Sequence, residues 1–327
     1  MREDENTYPS LARVVAVLNG KGGVGKTSIT CNCAGQLGQG GQRVLVVDLD
    51  VSGNVKLDLG LVDHPDEDDG RGLVDAVWSN KPLHLITDAR AGVDVIPGGN
   101  SLEILGALSQ MSSAQELPGG SVPHAFAAKL SEIADDYDLI FLDCPPGNKE
   151  LQEMALGAAR WVLIPTKTDY ASWDGLRKVG PRVKQARKEN PALRYLGVVV
   201  FDHSPNASRL MRNTQERLAE VGETVPLFDA FVRHSQSAAQ DCRSRGQLAH
   251  ELARDVSAQK SDRLEALSTR RARRATGSNV IELPVPAQLS GAADSVAADY
   301  TALAQEICAR ISEAENSGRA DAGRSLQ

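Results

Sequence analysis

The chain has few aromatic side chains, 4% of its 327 residues, and it lacks any long apolar run. Its apolar segments, such as residues 14–18 and 44–47, have the length of β-strands. They are far shorter than the roughly 20 residues that a membrane-spanning helix needs. The hydrophobic content of 41% nevertheless suits a folded core. The composition therefore predicts a globular protein with no segment that crosses a bilayer.

Cysteine is also scarce, and its placement excludes several kinds of metal site. The five cysteines are Cys31, Cys33, Cys144, Cys242 and Cys308. None of them forms the C-x-x-C spacing that is typical of a zinc site or a redox pair. Cys31 and Cys33 are two residues apart on a predicted helix, so they point to different faces. We therefore expect ordinary thiols.

The chain also has no excess of basic residues, and its formal net charge is −7. This charge argues against a protein that coats nucleic acid over its whole surface, although a local basic face remains possible. Residues 1–10 are charged and contain no apolar run, so they do not resemble a secretory signal. We expect a cytoplasmic protein in which residues 1–10 are a flexible N-terminus and residues 317–327 a flexible tail.

Short β-branched runs alternate with longer helical patterns along the chain, which is typical of βαβ units. Because the runs are apolar on both faces, they favour strands that are buried between two layers of helices. The predicted fold is α/β, a single doubly wound and mainly parallel sheet with helices on both faces. It covers residues 11–316 as one domain, with a basic insertion at about 257–292. The predicted strands are residues 14–18, 44–48, 93–97, 139–143, 161–165, 196–201 and 225–231.

The segment from Gly20 to Thr27, GKGGVGKT, matches G-x-x-x-x-G-K-[ST] between a predicted strand and a predicted helix. Glycine lets the backbone wrap around a phosphate with its N–H groups pointing inward, and the helix adds its positive dipole end. Lys26 supplies a charge to the β and γ phosphates, and the hydroxyl of Thr27 can bind Mg²⁺. A glycine-rich turn without a ligand is the alternative, but every fixed position matches. The predicted nucleotide-binding residues are Gly22, Gly23, Val24, Gly25, Lys26, Thr27 and Ser28.

Three aspartates stand where predicted strands end. Asp48 and Asp50 close the run VLVVDLD, and Asp143 closes DLIFLD. The carboxyl ends of parallel strands open onto the ligand crevice, so these side chains can reach Mg²⁺ or an attacking water. A single aspartate at a strand end often only caps a helix or a turn. Three of them beside a phosphate loop favour a catalytic site.

Lys21 is a second lysine in the phosphate loop, and on the residues alone it is either a spare solvated charge or a functional group. The motifs KGGVGKTS, VVDLDVSGN and FLDCPPG, in this order and spacing, resemble the deviant Walker A ATPases and specifically the ParA family of DNA-partition ATPases. The resemblance covers residues 13–253 and resumes at residues 300–307. The three motifs are highly specific for the superfamily, and less so for partition within it.

The resemblance implies ATP and Mg²⁺ as cofactors and a homodimer that forms on ATP binding. Lys26 would serve its own ATP, while Lys21 would reach the nucleotide of the partner subunit. Asp50 would orient the attacking water, so the implied catalytic residues are Lys21, Lys26 and Asp50. The implied metal site consists of Thr27, Asp48 and Asp143.

The sequence departs from the family pattern in two places. After the second strand the family reads D-P-Q-G-N, whereas here Val51 and Ser52 replace proline and glutamine, so the coupling of this loop to partner contact is an open question. The usual Pro-Arg before the base-contacting loop appears as Val232-Arg233. On this partial match, the resemblance implies that Arg233 binds the nucleotide.

Within the superfamily, we predict a partition ATPase that binds nonspecific duplex DNA on the nucleoid and is released when a DNA-bound, ParB-like centromere-binding protein stimulates hydrolysis. Affinity for DNA phosphates requires lysine and arginine. Each basic cluster could instead be a solvated helix face, less so TRRARR, where four arginines lie within five residues without a compensating acid. The candidates are Arg177, Lys178, Arg182, Lys184, Arg243, Arg245, Arg270, Arg271, Arg273 and Arg274.

Other classes in the superfamily are less compatible with the sequence. A MinD-like ATPase that positions a membrane or protein cargo is the main alternative, but the C-terminal SGRADAGRSLQ lacks the amphipathic helix that binds membranes. An electron-transfer protein of the nitrogenase iron-protein type needs paired cysteines, and Cys144 has no suitable second cysteine. Regulators of secretion or polysaccharide assembly share the motifs and stay open as alternatives.

With about ten residues before the first strand, we expect no N-terminal helix-turn-helix, so a partner would supply sequence specificity.

Overall fold

The computed structural model describes residues 8–112, 121–167, 169–203, 225–275 and 289–324. The strands among these residues are β1 (Val14–Val17), β2 (Val44–Asp48), β3 (Ile86–Arg90), β4 (Val93–Ile96), β5 (Leu139–Asp143), β6 (Trp161–Thr166), β7 (Arg194–His203) and β8 (Leu227–Arg233). They form one sheet in the order β3-β4-β2-β5-β1-β6-β7-β8. All neighbouring strands are parallel except β3 and β4, which pair antiparallel at one edge.

The central strands are buried on both faces, as their apolar sequences require. Every residue of β1, β2, β5 and β6 is buried. Successive residues alternate between the two faces, so Val15 and Val17 join one hydrophobic cluster while Val14 and Ala16 join the other. Each cluster is covered by its own layer of helices. The predicted doubly wound α/β fold is confirmed.

The helices form two layers that cover the two faces of the sheet. The helices among the described residues are α1 (Lys26–Gln39), α2 (Asn54–Asp58), α3 (Arg71–Ser79), α4 (Glu103–Ser112), α5 (Val122–Ser131), α6 (Lys149–Ala158), α7 (Tyr170–Ala186), α8 (Gln236–Arg245), α9 (Ala249–Ala275) and α10 (Ala293–Arg324). One layer buries apolar residues of α1, α8, α9 and α10, and the other buries those of α3, α5, α6 and α7. Within the described part of the chain, no helix is long and apolar enough to span a membrane.

Three parts of the chain differ from the sequence-based expectation. Strand β3 was not predicted, because the run ITDAR is mostly polar and lies at the sheet edge, where burial does not impose an apolar pattern. The predicted insertion at 257–292 begins inside the continuous helix α9, and residues 276–288 lie outside the described residues. Helix α10 continues through Arg324, beyond the predicted start of the tail at 317. Residues 1–7 and 325–327 of the predicted flexible ends are also outside the description.

The strand order brings the motif-bearing strand ends together. β5 lies between β1 and β2, with Val17 opposite Asp143 and Asp48 also opposite Asp143. The phosphate loop follows β1 directly, and the loop that carries Asp50 follows β2. The carboxyl edge of the sheet therefore collects the loop and all three aspartates, as expected for a parallel α/β sheet.

Candidate functional site

The phosphate loop is a tight turn between β1 and α1, and two of its glycines have positive φ angles. Gly23 has φ of 72° and Gly25 has φ of 88°, a region that glycine adopts at little cost. A Cβ atom on Gly25 would also lie 2.4 Å from the ring of Phe201. Backbone conformation and space therefore both require glycine at position 25, immediately before the first turn of α1.

Lys26 begins α1 and is 6% exposed. Its ammonium group donates a hydrogen bond to the carbonyl oxygen of Lys21 at 3.1 Å, which folds the loop back over the lysine. Burial lowers the pKa of Lys26, while the nearby carboxylates, chiefly that of Asp143, oppose this shift. A buried ammonium that neighbouring anions keep charged is suited to bind a phosphate.

Thr27 and Asp143 meet at the centre of the site. The hydroxyl of Thr27 donates to Oδ2 of Asp143 at 2.6 Å, while Oδ1 of Asp143 is buried with no hydrogen-bond partner among the described residues. Burial raises the pKa of Asp143, and the bond from Thr27 opposes that rise. A hydroxyl beside an unsatisfied buried carboxylate oxygen fits Mg²⁺, which takes oxygen ligands. A different kind of site, in which three or more His, Cys, Asp or Glu side chains together hold a metal ion, does not occur in the described part of the chain.

Asp48 lies beside Asp143, but its carboxylate is engaged by the backbone of the loop that follows β2. Its two oxygens accept hydrogen bonds from the N–H groups of Asp50, at 2.9 Å, and of Val55, at 3.1 Å. Burial and the charge of Asp143 raise the pKa of Asp48. In this structure Asp48 shapes the loop, and its predicted role in the magnesium shell stays a prediction.

Asp50 is 5% exposed and lines the cavity beside the phosphate loop. Its Oδ1 accepts a hydrogen bond from the N–H of Ser52 at 2.9 Å. This Asx-type turn orients the carboxylate, although Ser52 replaces the glutamine of the family pattern. The structure thus places Asp50 in the same cavity as Lys26 and Thr27.

The cavity has a volume of about 930 Å³ and opens beside the phosphate loop. This volume is at the upper end of the range for small-molecule and cofactor sites. Arg233 also lines the cavity, but its guanidinium forms a two-pronged ion pair with Asp299 on α10, with contacts of 2.6 and 2.7 Å. The predicted contact of Arg233 with a nucleotide would compete with this ion pair.

Lys21, the extra lysine of the loop, is held by the first turn of α7. Its ammonium donates to Oδ1 of Asp169 at 2.7 Å and to the hydroxyl of Ser172 at 3.1 Å. The hydrogen bond from Lys21 lowers the pKa of Asp169 well below its usual range. Within this chain, Lys21 is therefore paired at the surface with Asp169 and Ser172, and its catalytic role stays a prediction.

The predicted DNA-binding residues are divided between the two helix layers. Arg177, Lys178 and Lys184 are exposed on α7, whereas Arg243 and Arg245 are exposed on α8 at the other face of the sheet. The side chains of Arg270, Arg271, Arg273 and Arg274 lie outside the described residues, although their backbone belongs to α9. Among the side chains that the structure describes, the basic residues of α7 and those of α8 therefore lie on opposite faces of the sheet.

Two of the predicted DNA-binding arginines have partners within the protein. Arg182 donates to the side-chain oxygen of Gln152, which is fully buried. Arg243 forms an ion pair with Asp58, with its guanidinium 3.1 Å from the carboxylate. A structural role for Arg182 and Arg243 was not expected from their place in basic sequence clusters.

The sequence analysis missed several residues that organise the site. Asn19 donates to the carbonyl oxygen of Pro165 at 2.7 Å and accepts from the N–H of Lys21 at 2.9 Å, which ties the loop to β6. Asp169 caps α7 by accepting from the N–H of Ser172, and an aspartate before a helical pattern is a recognisable N-cap signal. Asn19 was missed because its bond to Pro165 depends on the neighbouring strand, although its bond from the N–H of Lys21 is a local turn contact.

Comparisons with known proteins agree with this geometry. The AAA domain family matches residues 12–195, more than half of the chain. The chromosome-partitioning ATPase Soj of Thermus thermophilus is 30% identical over 214 residues, covering 65% of this chain and 78% of the relative. The chromosome partitioning protein ParA of Myxococcus xanthus is 28% identical over 211 residues, covering 62% and 70%.

Solved structures show the same fold. Apo McdA of Cyanothece is similar with a TM-score of 0.63 at 20% identity, covering 74% of this chain and 93% of that one. Cobyrinic acid a,c-diamide synthase of Mycobacterium smegmatis, with bound ADP and magnesium, has a TM-score of 0.58 at 24% identity, covering 72% and 92%. The family match over residues 12–195 and the 30% identity to Soj, together with the phosphate loop and its strand-end aspartates, show that the chain belongs to the ParA/MinD family of P-loop ATPases.

Proposed function

We propose that this chain is a DNA-partition ATPase, which binds ATP with Mg²⁺, dimerises and then binds duplex DNA without sequence preference. The observation that carries the proposal is the phosphate loop with two lysines in different environments. Lys26 is buried beside the cavity, while Lys21 does not line it and its ammonium contacts Asp169 and Ser172 at the start of α7. This difference supports a role for Lys26 at the chain's own nucleotide and leaves Lys21 as the group that would serve a second subunit.

The chain's own residues have distinct parts in hydrolysis. The loop N–H groups and Lys26 would bind the phosphates, and the N-terminus of α1 would add its dipole. Thr27 and Asp143 would hold Mg²⁺, which neutralises phosphate charge. Asp50 would orient the attacking water from the cavity wall. Charge supplied by Lys21 of the partner subunit would act in the manner of an arginine finger and would tie hydrolysis to dimerisation.

The names of the relatives support partition as the role within the family, since both Soj and ParA are described as chromosome-partitioning proteins. We extend this role to the present chain as a proposal, with a cytoplasmic, nucleoid-associated location. A ParB-like, DNA-bound protein would stimulate hydrolysis and release the dimer from DNA.

Binding to nonspecific duplex DNA, measured with ATP, with ADP and without nucleotide across a salt series, tests the proposal. We expect binding only with ATP, with an affinity that falls steeply as salt rises. Absence of DNA binding in every nucleotide state, in a protein that still dimerises with ATP, would overturn the partition role.

Lys21→Ala tests the role in trans. We expect the variant to bind ATP as the wild type does but to lose hydrolysis by on the order of a hundredfold or more, the usual effect of removing one transition-state contact. Nucleotide titration and phosphate release measure the two properties separately. Lys26→Ala is the matched control, and it should lose nucleotide binding itself. Normal hydrolysis by Lys21→Ala would refute the trans role.

A further inference from the structure

The nucleotide cavity has two ends, which the order of the strands distinguishes. Asp50 and Asp143, the proposed groups for the attacking water and for Mg²⁺, stand at the carboxyl ends of β2 and β5, on one side of β1. β6, β7 and β8 lie on the other side of β1, and Lys167, Asp202 and His234 at their carboxyl ends line the cavity. A nucleotide whose terminal phosphate faces Asp50 therefore directs its base toward β7 and β8.

The end of β7 departs from regular strand geometry at Asp202. Its φ angle is 62°, in the left-handed region that residues other than glycine seldom adopt. Successive side chains of a regular strand point to opposite faces, yet Phe201 and Asp202 both line the cavity. The ring of Phe201 packs against Gly25 of the phosphate loop. Backbone strain of this kind is typical of ligand sites, and here it accompanies a carboxylate at the cavity wall.

Two basic side chains hold the carboxylate of Asp202 in place. The ammonium of Lys167 donates to Oδ2 at 2.7 Å, and Nδ1 of His234 donates to Oδ1. Burial raises the pKa of Asp202, but the hydrogen bonds from Lys167 and His234 outweigh burial and lower the pKa overall. The carboxylate is therefore ionised at neutral pH and can only accept hydrogen bonds. Each of its oxygens has room for a second donor.

An ionised acceptor at this end of the cavity distinguishes bases by the donors that they carry. Adenine has an amino group at position 6, whereas guanine has a carbonyl oxygen there, which would face the carboxylate as a second acceptor. A site built to hydrogen-bond one group of its ligand rejects analogues that lack this group, because its own polar atoms are then left unpaired.

We propose that Asp202 accepts a hydrogen bond from the 6-amino group of adenine, and that this contact makes the site select adenine over purines without that group. The inference rests on the proposed function, because it takes the cavity to bind ATP. Asp202 is a specificity-determining residue in this scheme, and Lys167 and His234 orient its carboxylate.

Binding of nucleoside diphosphates to the full-length chain tests the inference without hydrolysis of a γ-phosphate. Calorimetric titration with Mg²⁺ compares ADP, GDP and purine riboside diphosphate, which has hydrogen in place of the 6-amino group. We expect the wild type to bind ADP more tightly than either analogue by on the order of tenfold, the usual effect of one hydrogen bond to a charged group.

Asp202→Gly removes the acceptor at a φ angle that glycine adopts freely, so the course of β7 should be kept. Its affinity for ADP should fall about tenfold, to that for purine riboside diphosphate. Asp202→Asn tolerates the left-handed region and keeps one side-chain oxygen. It should retain part of the preference for ADP, and it provides a second test if Asp202→Gly does not fold.

Asp88→Gly is the matched control. Asp88 is another aspartate with positive φ, 51°, but it is exposed on β3 and does not line the cavity. This variant should leave the ratio of the affinities for ADP and purine riboside diphosphate unchanged. A purely structural role of Asp202 would weaken all three nucleotides alike in Asp202→Gly and keep the wild-type ratio, which would overturn the inference.

The outcomes also distinguish this inference from the function on which it rests. Failure of the wild type to bind either ADP or ATP would refute the proposed function and the inference with it. A wild type that binds GDP or purine riboside diphosphate as tightly as ADP would refute the role of Asp202 alone.

Discussion

Arg243 shows at the residue scale how a basic side chain in a charged cluster can serve the fold. Its guanidinium pairs with Asp58, which is 8% exposed and also accepts a hydrogen bond from the hydroxyl of Ser28 at 3.4 Å. Burial raises the pKa of Asp58, and the charge of Arg243 opposes that rise. The pair thus joins α2, α8 and the first turn of α1, next to the phosphate loop.

We predict that Arg243→Gln lowers the free energy of unfolding by about 1–3 kcal/mol at pH 8, the usual cost of leaving a buried acceptor without its partner. Without Arg243 the pKa of Asp58 would rise further. An acidic group whose pKa is higher in the folded than in the unfolded state stabilises the fold at pH values below its unfolded-state pKa. This contribution is lost as pH rises through its folded-state pKa. The destabilisation should therefore be larger at pH 8 than at pH 5.

Urea unfolding of the wild type and Arg243→Gln at both pH values measures this difference. Arg245→Gln, two residues further along α8 at an exposed position, is the matched control and should be nearly neutral. A variant as stable as the wild type at pH 8 would show that the ion pair contributes nothing.

At the scale of elements, the C-terminal ends of α2 and α8 pack together, and the close contact is made by the glycine that follows each helix. Gly60 has φ of 60° and Gly246 has φ of 58°, and a Cβ atom on Gly246 would lie 2.4 Å from Cα of Gly60. Arg90, at the end of β3, donates to the carbonyl oxygen of Gly246 at 2.6 Å. The contact fixes α2, which follows the loop of Asp50, against the helix layer.

We expect Gly246→Ala to destabilise the protein by about 1–3 kcal/mol, because alanine meets both the close backbone contact and the positive φ. Gly106→Ala is the control, since a Cβ atom at this position of α4 would make only an ordinary contact, 3.9 Å from Nδ2 of Asn148. That control should raise stability by up to about 1 kcal/mol. Urea midpoints report both effects, and equal stability of Gly246→Ala and wild type would contradict the close contact.

At the scale of the whole molecule, a net charge of −7 requires that any DNA-binding surface be local. The exposed side chains of Arg177, Lys178 and Lys184 lie along α7, the helix that also holds Lys21 through its first turn. We therefore place the first test of DNA binding on α7, where a basic face and the loop lysine share one element.

We predict that Lys184→Ala weakens DNA binding by the ATP-bound protein equally for unrelated sequences. The slope of log affinity against log salt should become shallower by about 1, as expected for the loss of one phosphate contact. Binding isotherms at several salt concentrations give this slope. Lys81→Ala, at an exposed lysine beyond the end of α3, is the control, and an unchanged slope for Lys184→Ala would remove this residue from the interface.

Much of the fold and of the phosphate site was predictable, because the signals are local. Strands β2 and β5 have the predicted bounds, since buried parallel strands read as short apolar runs between helical patterns. The loop from Gly20 to Thr27 is recognisable because its chemistry depends on residue types at fixed spacing. The edge strand β3 escaped prediction, because one exposed face removes the apolar run on which the prediction depends.

The sequence by itself determined the buried strands, the phosphate loop and the family, because their signals depend on neighbours along the chain. Only the tertiary structure decided which partners the charged side chains have. Lys21 meets Asp169 across 148 positions, Arg243 meets Asp58 across 185, and Arg233 meets Asp299 across 66. Such pairs form where separate elements pack together, and many basic and acidic residues along the chain would satisfy the same charge pattern. The physical reason is that charge complementarity is not specific to a partner until the fold fixes distance and burial.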